Sequence, residues 1–395
     1  MDPAIFGGGV TVTGAVQITN AINDDHRRLR QRFMQALNGR AVASQEHILQ
    51  HYAAQFIEGI RKELKSSGGT VDIAKWFSLA TFDVIADLAF GRPFGNLERG
   101  ELHSWVAVVF GAFKALPFLR VIRELPGMLF IGSHASFLLP RKLKQMWRDH
   151  FNYAFSLIDE RLKNPKERKD FVYYLIHDDG EGLTHDEIKE CAAQMVMAGS
   201  EPTATFLSGL CYFLTRNQAV YEKVKEEIRT VFHCEEEMTL INLSQLKYFH
   251  AVVREGLRMF PPAADIFPRI IPEGGETILG KYLPEGTRVG IAALAASYSK
   301  SNFDNPDVFD PSRWLGDDEF KDKRMRASQP FGQGHRSCLG KVLATAEIRL
   351  LLANLLWHFE IELAPGQENW LSNCRTFLGW EKPPLMLQMT LQQAF

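Results

Sequence analysis

The sequence predicts a mainly α-helical fold with a minor β-sheet, and three observations carry that expectation. Apolar residues recur at helical spacing through most of the first two-thirds of the chain. One such run, Leu183 to Leu214, extends for about 30 residues against a usual helix length of about 10–14, and its interior is almost free of charge. Between Phe267 and Ile291 the pattern changes, and Gly274-Gly275, Gly280 and Gly286 punctuate short β-prone runs.

Taken in order, Asp25 to Tyr52, Val71 to Phe90, Glu101 to Phe118 and Lys142 to Lys163 each read as helices, the last closed by Asn164-Pro165. Thr184 is placed to cap the long run, with Glu187 three residues on as the return partner of a capping box. Such a helix belongs through the middle of the molecule, and Pro202 lies inside it. Asn217 is expected to cap a charged surface helix, Gln218 to Phe232. The next helix runs from about Ser244 to Phe260 and stops at Pro261-Pro262. Phe267 to Ile291 reads as a small sheet, and Asn302 to Gln333, rich in Asp, Pro and Arg, as irregular chain. Helix returns at Leu339 to His358, followed by a β-prone tail.

The 395 residues are 46% hydrophobic and 23% charged, ordinary globular values, and the formal net charge is -2. That balance gives no reason to expect nucleic acid as a partner. Five cysteines, Cys191, Cys211, Cys234, Cys338 and Cys374, show no CxxC spacing, which argues against a disulfide framework or a structural zinc site. Met1 to Asn20 lacks the basic start of a signal peptide, and no apolar run reaches the roughly 20 residues of a membrane span. The nearest approach, Leu125 to Leu139, is broken by Pro126 and Gly127. Gly7-Gly8-Gly9 lacks the Lys-Ser/Thr of a phosphate loop.

Residues 331–340 read Phe-Gly-Gln-Gly-His-Arg-Ser-Cys-Leu-Gly. This stretch resembles the haem loop of the cytochrome P450 family, F-x-x-G-x-R-x-C-x-G, matching at Phe331, Gly334, Arg336, Cys338 and Gly340. The resemblance implies haem b (iron protoporphyrin IX) with Cys338 as the axial iron ligand. Each position has a physical reason. A helix beginning near Leu339 directs N–H groups and its positive end at Cys338, favouring a thiolate. Gly334 permits a tight turn, Phe331 is expected to pack beside the sulfur, and Arg336 to pair with a haem propionate.

Further stretches resemble the same family in the same order. Glu255 and Arg258, on one helix face, match its Glu-x-x-Arg pair, and Arg313 within Phe309-Asp310-Pro311-Ser312-Arg313-Trp314 matches the third member of that structural triad. His26 and Arg30 match its W/H-x-x-x-R signature, and Arg269 after Pro268 another propionate-binding position. Ala198-Gly199-Ser200-Glu201-Pro202-Thr203 resembles the oxygen-activating stretch A-G-x-D/E-T-T/S, which makes Glu201 and Thr203 the candidate catalytic residues. Pro202 stands where the first threonine belongs. It predicts a kink, and Thr203, Glu201 or an ordered water is expected to replace the missing hydroxyl.

The resemblance begins near Gln17 and runs to the C-terminus, implying a single cytochrome P450 domain over residues 1–395. Thr81 to Gly91 looks like a helix of fungal microsomal members acting in secondary metabolism. Members of that type begin with a membrane anchor, several helices and sheet strands, so this chain reads as an N-terminally truncated form lacking part of the main sheet. The implied activity is monooxygenation: one atom of O2 goes into an apolar small molecule, with electrons from NADPH through NADPH-cytochrome P450 reductase, on the cytosolic face of the endoplasmic reticulum. A rearrangement or coupling reaction, and an inactive haem-binding fragment, are the alternatives. Lys321, Lys323, Arg324 and Arg326, with Arg27, Arg28 and Arg32, form the expected reductase surface. Leu125 to Leu139 is expected to be a pocket lid or a peripheral membrane contact.

Overall fold

The computed structural model describes residues 11–103, 105, 141–164, 168–176, 182–316, 323–377 and 379–392. The expected Leu125–Leu139 lid and most of the Glu101–Phe118 helix lie outside these residues. The expected first helix, Asp25 to Tyr52, is three pieces: α1 (Asn23–Leu37), α2 (Gly39–Ser44) and α3 (Glu46–Ser67). The cause is Asn38, which leaves the helical region (φ -77°, ψ 167°) and caps α2 by accepting from the Ala41 amide at 3.0 Å. Its own side-chain amide donates back to the Gln35 carbonyl at 3.0 Å, so one residue closes one helix and opens the next.

Val71 was expected to open a helix. Instead, Thr70–Asp72 is a strand, β1, and Asp72 caps α4 (Ile73–Phe90) by accepting from the Lys75 amide. Every residue of α4 except Lys75 is buried, the behaviour of a helix that is apolar all round. Its buried Asp83 is satisfied by the amides of Phe94 (3.1 Å) and Leu97 (2.8 Å), and Asp87 by Tyr52 (2.9 Å) and Arg168 (2.6 Å). After α5 (Arg141–Arg161) comes the long central helix α6 (His185–Arg216), 32 residues continuous through Pro202. Both halves of the expected capping box form, Glu187 N to Thr184 Oγ1 at 3.2 Å and Thr184 N to Glu187 Oε2 at 2.9 Å.

Two glycines set how closely α6 packs. A Cβ on Gly199 would lie 2.5 Å from Ile85 Cδ1 of α4, and one on Gly209 would lie 2.3 Å from a ring carbon of Phe260. Asn217 does not cap α7 (Gln218–Val231) with its side chain; it donates to the Phe213 carbonyl at 2.8 Å and so closes α6. The next helix, α8, is Lys247–Met259, shorter at its start than expected. Its first amides are capped from another helix: the Glu227 carboxylate of α7 accepts from Tyr248 N (2.8 Å) and Phe249 N (2.7 Å).

The expected small sheet between Phe267 and Ile291 is two separate antiparallel pairs. β2 (Arg269–Ile270) pairs with β5 (Arg288–Val289), and β3 (Glu276–Ile278) with β4 (Lys281–Leu283). Leu279 and Gly280, both at positive φ (51° and 76°), turn the second pair. Downstream lie α9 (Lys341–His358), β6 (Phe359–Leu363), β7 (Arg375–Thr376), β8 (Trp380–Glu381) and β9 (Met386–Leu391). β7 and β8 form a hairpin, and β1, β9 and β6 form a three-stranded antiparallel sheet in that order. Among the described residues the buried apolar side chains form one core cluster, with α4, α6, α8 and α9 all contributing. No described helix is long and apolar enough to cross a membrane.

His150 of α5 lies buried in this core, stacked flat on Trp105 (centroids 4.8 Å apart, 6° between planes). Burial lowers its pKa from 6.5 to about 4. The unfolded chain therefore takes up this proton as pH falls through 6.5, and the folded chain only near 4, so the contribution is present above 6.5 and lost on acidification. We expect His150→Phe to reduce the loss of unfolding free energy between about pH 7 and about pH 4.5 by roughly 2 kcal/mol, read from urea unfolding at both pH values.

Candidate active site

Four elements converge on Cys338: the loop before α9, helix α1, the chain at Ala21, and strand β2. The loop is shaped by glycines at positive φ, Gly332 (65°) and Gly334 (73°). A Cβ on Gly334 would meet nothing within 4 Å, so backbone conformation alone calls for glycine there. Gly340 is different: its φ is ordinary at -80°, and an added Cβ would sit 4.0 Å from Cys338 Sγ. Phe331 holds the cysteine through its backbone, its carbonyl accepting from Cys338 N at 2.8 Å, while its ring packs on the core.

Cys338 is accessible to solvent, and α9 begins three residues on, at Lys341. The backbone N–H groups of Gly340 and Lys341 and the charges of Arg30 and Lys341 favour the thiolate, as the sequence leads one to expect. Desolvation by the enclosing protein outweighs them, and the net effect raises the thiol pKa. The helix end alone therefore does not make a thiolate here.

Arg30 of α1 reaches the same loop, donating to the Ser337 carbonyl (2.9 Å) and hydroxyl (3.0 Å). Arg336 donates to the Ala21 carbonyl, and its buried Nε has no hydrogen-bond partner among the described residues. Arg269 donates to the Phe267 carbonyl at 2.7 Å. Among the described residues no carboxylate pairs with these three guanidiniums. Burial lowers the Arg336 pKa, and Arg269 and Arg30 lower it further. His26, edge-on to His335 at 6.1 Å, is pushed from 6.5 to about 4 by burial, then by Arg336, Arg30 and His335. Three clustered guanidiniums without carboxylate partners among the described residues, one of them leaving a buried donor unused, fit the two carboxylates of a dianionic cofactor such as haem. Cys338 fits the metal of such a cofactor: its thiol is accessible to solvent, and haem iron takes a single cysteine thiolate as its protein ligand.

Behind this site, Glu255 of α8 is completely buried and saturated. It accepts from Arg258 Nε (2.8 Å) and Nη2 (2.7 Å), Arg313 Nε (3.0 Å), Asp310 N (3.0 Å) and Trp314 Nε1 (2.9 Å). Arg258 also donates to the carbonyls of Ser297 and Pro306 (both 2.8 Å) and Val308 (3.3 Å). The three residues of the expected triad are thus together, and Trp314 is a fourth partner that the motif did not single out.

Glu201 and Thr203 are not together. Two residues apart on a helix they face nearly opposite sides, about 200° apart. Thr203 lies beside the fully buried Glu347 of α9 and lowers that residue's pKa somewhat, while burial holds it well above 4.5. Neither Glu347 oxygen has a partner of hydrogen-bond geometry among the described residues. Glu201 instead meets Thr205, one turn on (2.5 Å), and Lys382 Nζ (2.8 Å), neither of which sequence reasoning found. Helical spacing could have suggested Thr205; nothing local marks Lys382.

The expected reductase surface is thinner than the sequence suggests. Arg28 is committed to Glu187 at the start of α6, and Arg32 is buried. Arg27 and Arg326 are exposed, Lys321 lies outside the described residues, and so do the side chains of Lys323 and Arg324.

The family model described as Cytochrome P450 matches residues 11–389. The chain is 37% identical to cytochrome P450 monooxygenase astJ of Aspergillus oryzae over 95% of this chain and 75% of that protein. It is 39% identical to cytochrome P450 monooxygenase traB of Penicillium crustosum, with the same coverage, and 36% identical to averantin hydroxylase of Dothistroma septosporum, over 95% of this chain and 71% of that protein. Among solved structures, the heme domain of cytochrome P450DA superposes with a TM-score of 0.80 over 99% of this chain and 81% of that chain, at 19% identity, a likeness of fold.

Removing one partner of the Glu255 network leaves a buried charge uncompensated. We expect Glu255→Gln to cost about 3–5 kcal/mol of unfolding free energy and Trp314→Phe about 1–2 kcal/mol, both measured by urea denaturation.

Proposed function

The chain belongs to the cytochrome P450 family, a haem-binding monooxygenase family that works with O2, a small-molecule substrate and a redox partner, and from that premise we propose its finer activity. It inserts one oxygen atom into an apolar small molecule of fungal secondary metabolism, as a single domain on the cytosolic face of the endoplasmic reticulum. Electrons come from NADPH through NADPH-cytochrome P450 reductase. The balance is substrate C–H, O2, NADPH and a proton giving substrate C–OH, water and NADP+. The observation that carries the haem site is the solvent-accessible Cys338 thiol beside three guanidiniums without carboxylate partners.

Haem, when bound, supplies the iron that activates O2, and a thiolate ligand favours O–O cleavage. The chain's own residues do the rest. Cys338 would be its ligand as the thiolate, which the amides of Gly340 and Lys341 favour. Arg30, Arg269 and Arg336, with His26 as a neutral donor beside them, would hold the carboxylates of the cofactor. The Glu255 network fixes the chain that leads to the cysteine loop. Glu201, nearly buried and with one oxygen free of hydrogen bonds among the described residues, would be the carboxylate of α6 that moves protons.

A rearrangement or coupling reaction is favoured by one observation. Pro202 removes the usual hydroxyl, and Thr203 is turned toward Glu347. Such reactions require less controlled protonation. Product analysis with and without matched NADPH consumption separates the two.

The reduced protein with carbon monoxide is expected to show the strongly red-shifted Soret band of thiolate-ligated haem, and Cys338→His to move it to the position of a neutral ligand. A wild-type spectrum with the neutral-ligand band would refute Cys338 as ligand. For the redox partner, Arg27→Glu with Arg326→Glu is expected to slow reductase-supported reduction several-fold at low salt, an effect that vanishes at high salt. An unchanged rate at low salt would remove these two residues from the docking face.

A further inference from the structure

We propose that Lys382 and Thr205 are positioning residues for Glu201, holding it by one oxygen and leaving the other open, in place of the hydroxyl lost at Pro202. The inference rests on the monooxygenase reading above.

Glu201 Oε1 accepts from Thr205 Oγ1 (2.5 Å) and Lys382 Nζ (2.8 Å), and Lys382 Nζ also donates to Thr205 Oγ1 (2.7 Å). The three side chains close a ring of charge-assisted hydrogen bonds. Both charged members are nearly buried, with side-chain exposures of 10% for Glu201 and 9% for Lys382, so the pair is screened far less than a surface ion pair. Among the described residues Glu201 Oε2 takes no hydrogen bond, and it faces Gly379, where an added Cβ would lie 3.8 Å from it. The carboxylate is thus asymmetric, one oxygen committed and one free.

Lys382 is mounted rigidly. Two residues before it, Trp380 stacks on Phe260 (4.3 Å) and donates to the Pro261 carbonyl (2.8 Å). One residue after it, the Pro383 carbonyl accepts from Trp370 Nε1 (3.0 Å). Both ends of a four-residue stretch, Trp380 to Pro383, are therefore fixed to the core, and Lys382 between them has a defined origin from which to reach α6. The proline at 202 has no N–H to give the carbonyl of Ala198, so the backbone around Glu201 is held by one bond fewer than an ordinary helix turn. A side-chain clamp from outside the helix restores to Glu201 the fixed geometry that the local backbone no longer enforces.

Reduction of O2 to hydrogen peroxide uses two electrons and two protons, one NADPH; reduction to two waters uses four of each, two NADPH. Proton supply decides between them, so the ratio of NADPH oxidised to O2 consumed reads the placement of Glu201 with O2 itself as the probe. The haem-loaded chain with reductase and without added substrate, so that peroxide and water are the reduction products read, is measured as wild type, Lys382→Met, Lys382→Arg and Thr205→Val, together with peroxide release. Thermal unfolding of Lys382→Met, Glu201→Gln and their double variant gives the interaction of the pair independently of turnover. We expect the ratio to fall toward one and peroxide release to rise several-fold in Lys382→Met and Thr205→Val, Lys382→Arg to recover most of the wild-type value, and the two single unfolding shifts to be non-additive. Should Lys382→Met not fold, Thr205→Val carries the test. Unchanged ratios in the folded variants, additive unfolding shifts, or a ratio already at one in wild type overturn the proposal. A wild type without the thiolate carbon monoxide spectrum instead overturns the underlying reading of Cys338.

Discussion

A carboxylate sealed from water has to be saturated by donors that the fold itself delivers, and Glu255 is the group on which this molecule's polar architecture converges. Desolvating such a charge is expensive, and it is tolerated only where the compensating geometry is complete. Here five donors come from α8 itself and from the stretch Asp310 to Trp314. The requirement runs in both directions. Irregular chain between Ser297 and Trp314 has no ladder to order it, yet it must present carbonyls to Arg258 and donors to Glu255 at fixed positions. The hydrogen bonds to Arg258 and Glu255 therefore fix the path of that chain as far as Trp314.

At the cysteine loop the compensation is incomplete in a directed way. Arg30, Arg269 and Arg336 crowd together with neutral His26, and Arg336 keeps a buried donor unused. Under the proposed haem reading, two carboxylates would relieve the repulsion that Arg336 feels from Arg30 and Arg269. Binding of the cofactor is then linked to the stability of the whole fold, because the ligand binds the folded state and relieves repulsion only there.

Much of this was legible in the sequence, and the reasons differ by feature. The capping box at Thr184 and Glu187, the length and burial of α6, and the Glu255 triad follow from local spacing, which the structure reproduces. The tight turn expected at Gly334 is present at φ 73°, but its cause is backbone conformation, since a side chain there would meet open space rather than an obstruction. The failures have physical causes as well. Asn38 makes the first of two breaks in one periodic apolar run because a side-chain cap competes with helix continuation, and periodicity does not register that. β1 was hidden inside a helical pattern because three residues can serve either structure until a distant partner selects one. The pairing of Glu201 with Lys382 spans 181 positions, and Glu-Lys-Pro-Pro reads locally as a solvated turn. The thiolate expectation at Cys338 omitted desolvation, a term that only the packed loop reveals.

The three-stranded sheet has a consequence for the order in which the molecule is made. β1, at residues 70–72, has no partner until β9, at residues 386–388, is synthesised, and Arg30 waits across 307 positions for Ser337. Both contacts bind the first part of the described chain to its last. A ribosome releasing this chain in order therefore exposes α4, an almost wholly apolar helix, long before its covering elements α6 and β9 emerge. Non-local closure of this kind slows folding and lengthens the interval in which apolar surface is open to aggregation. Growth temperature and chaperone supply during expression are then expected to affect the yield of cofactor-competent protein.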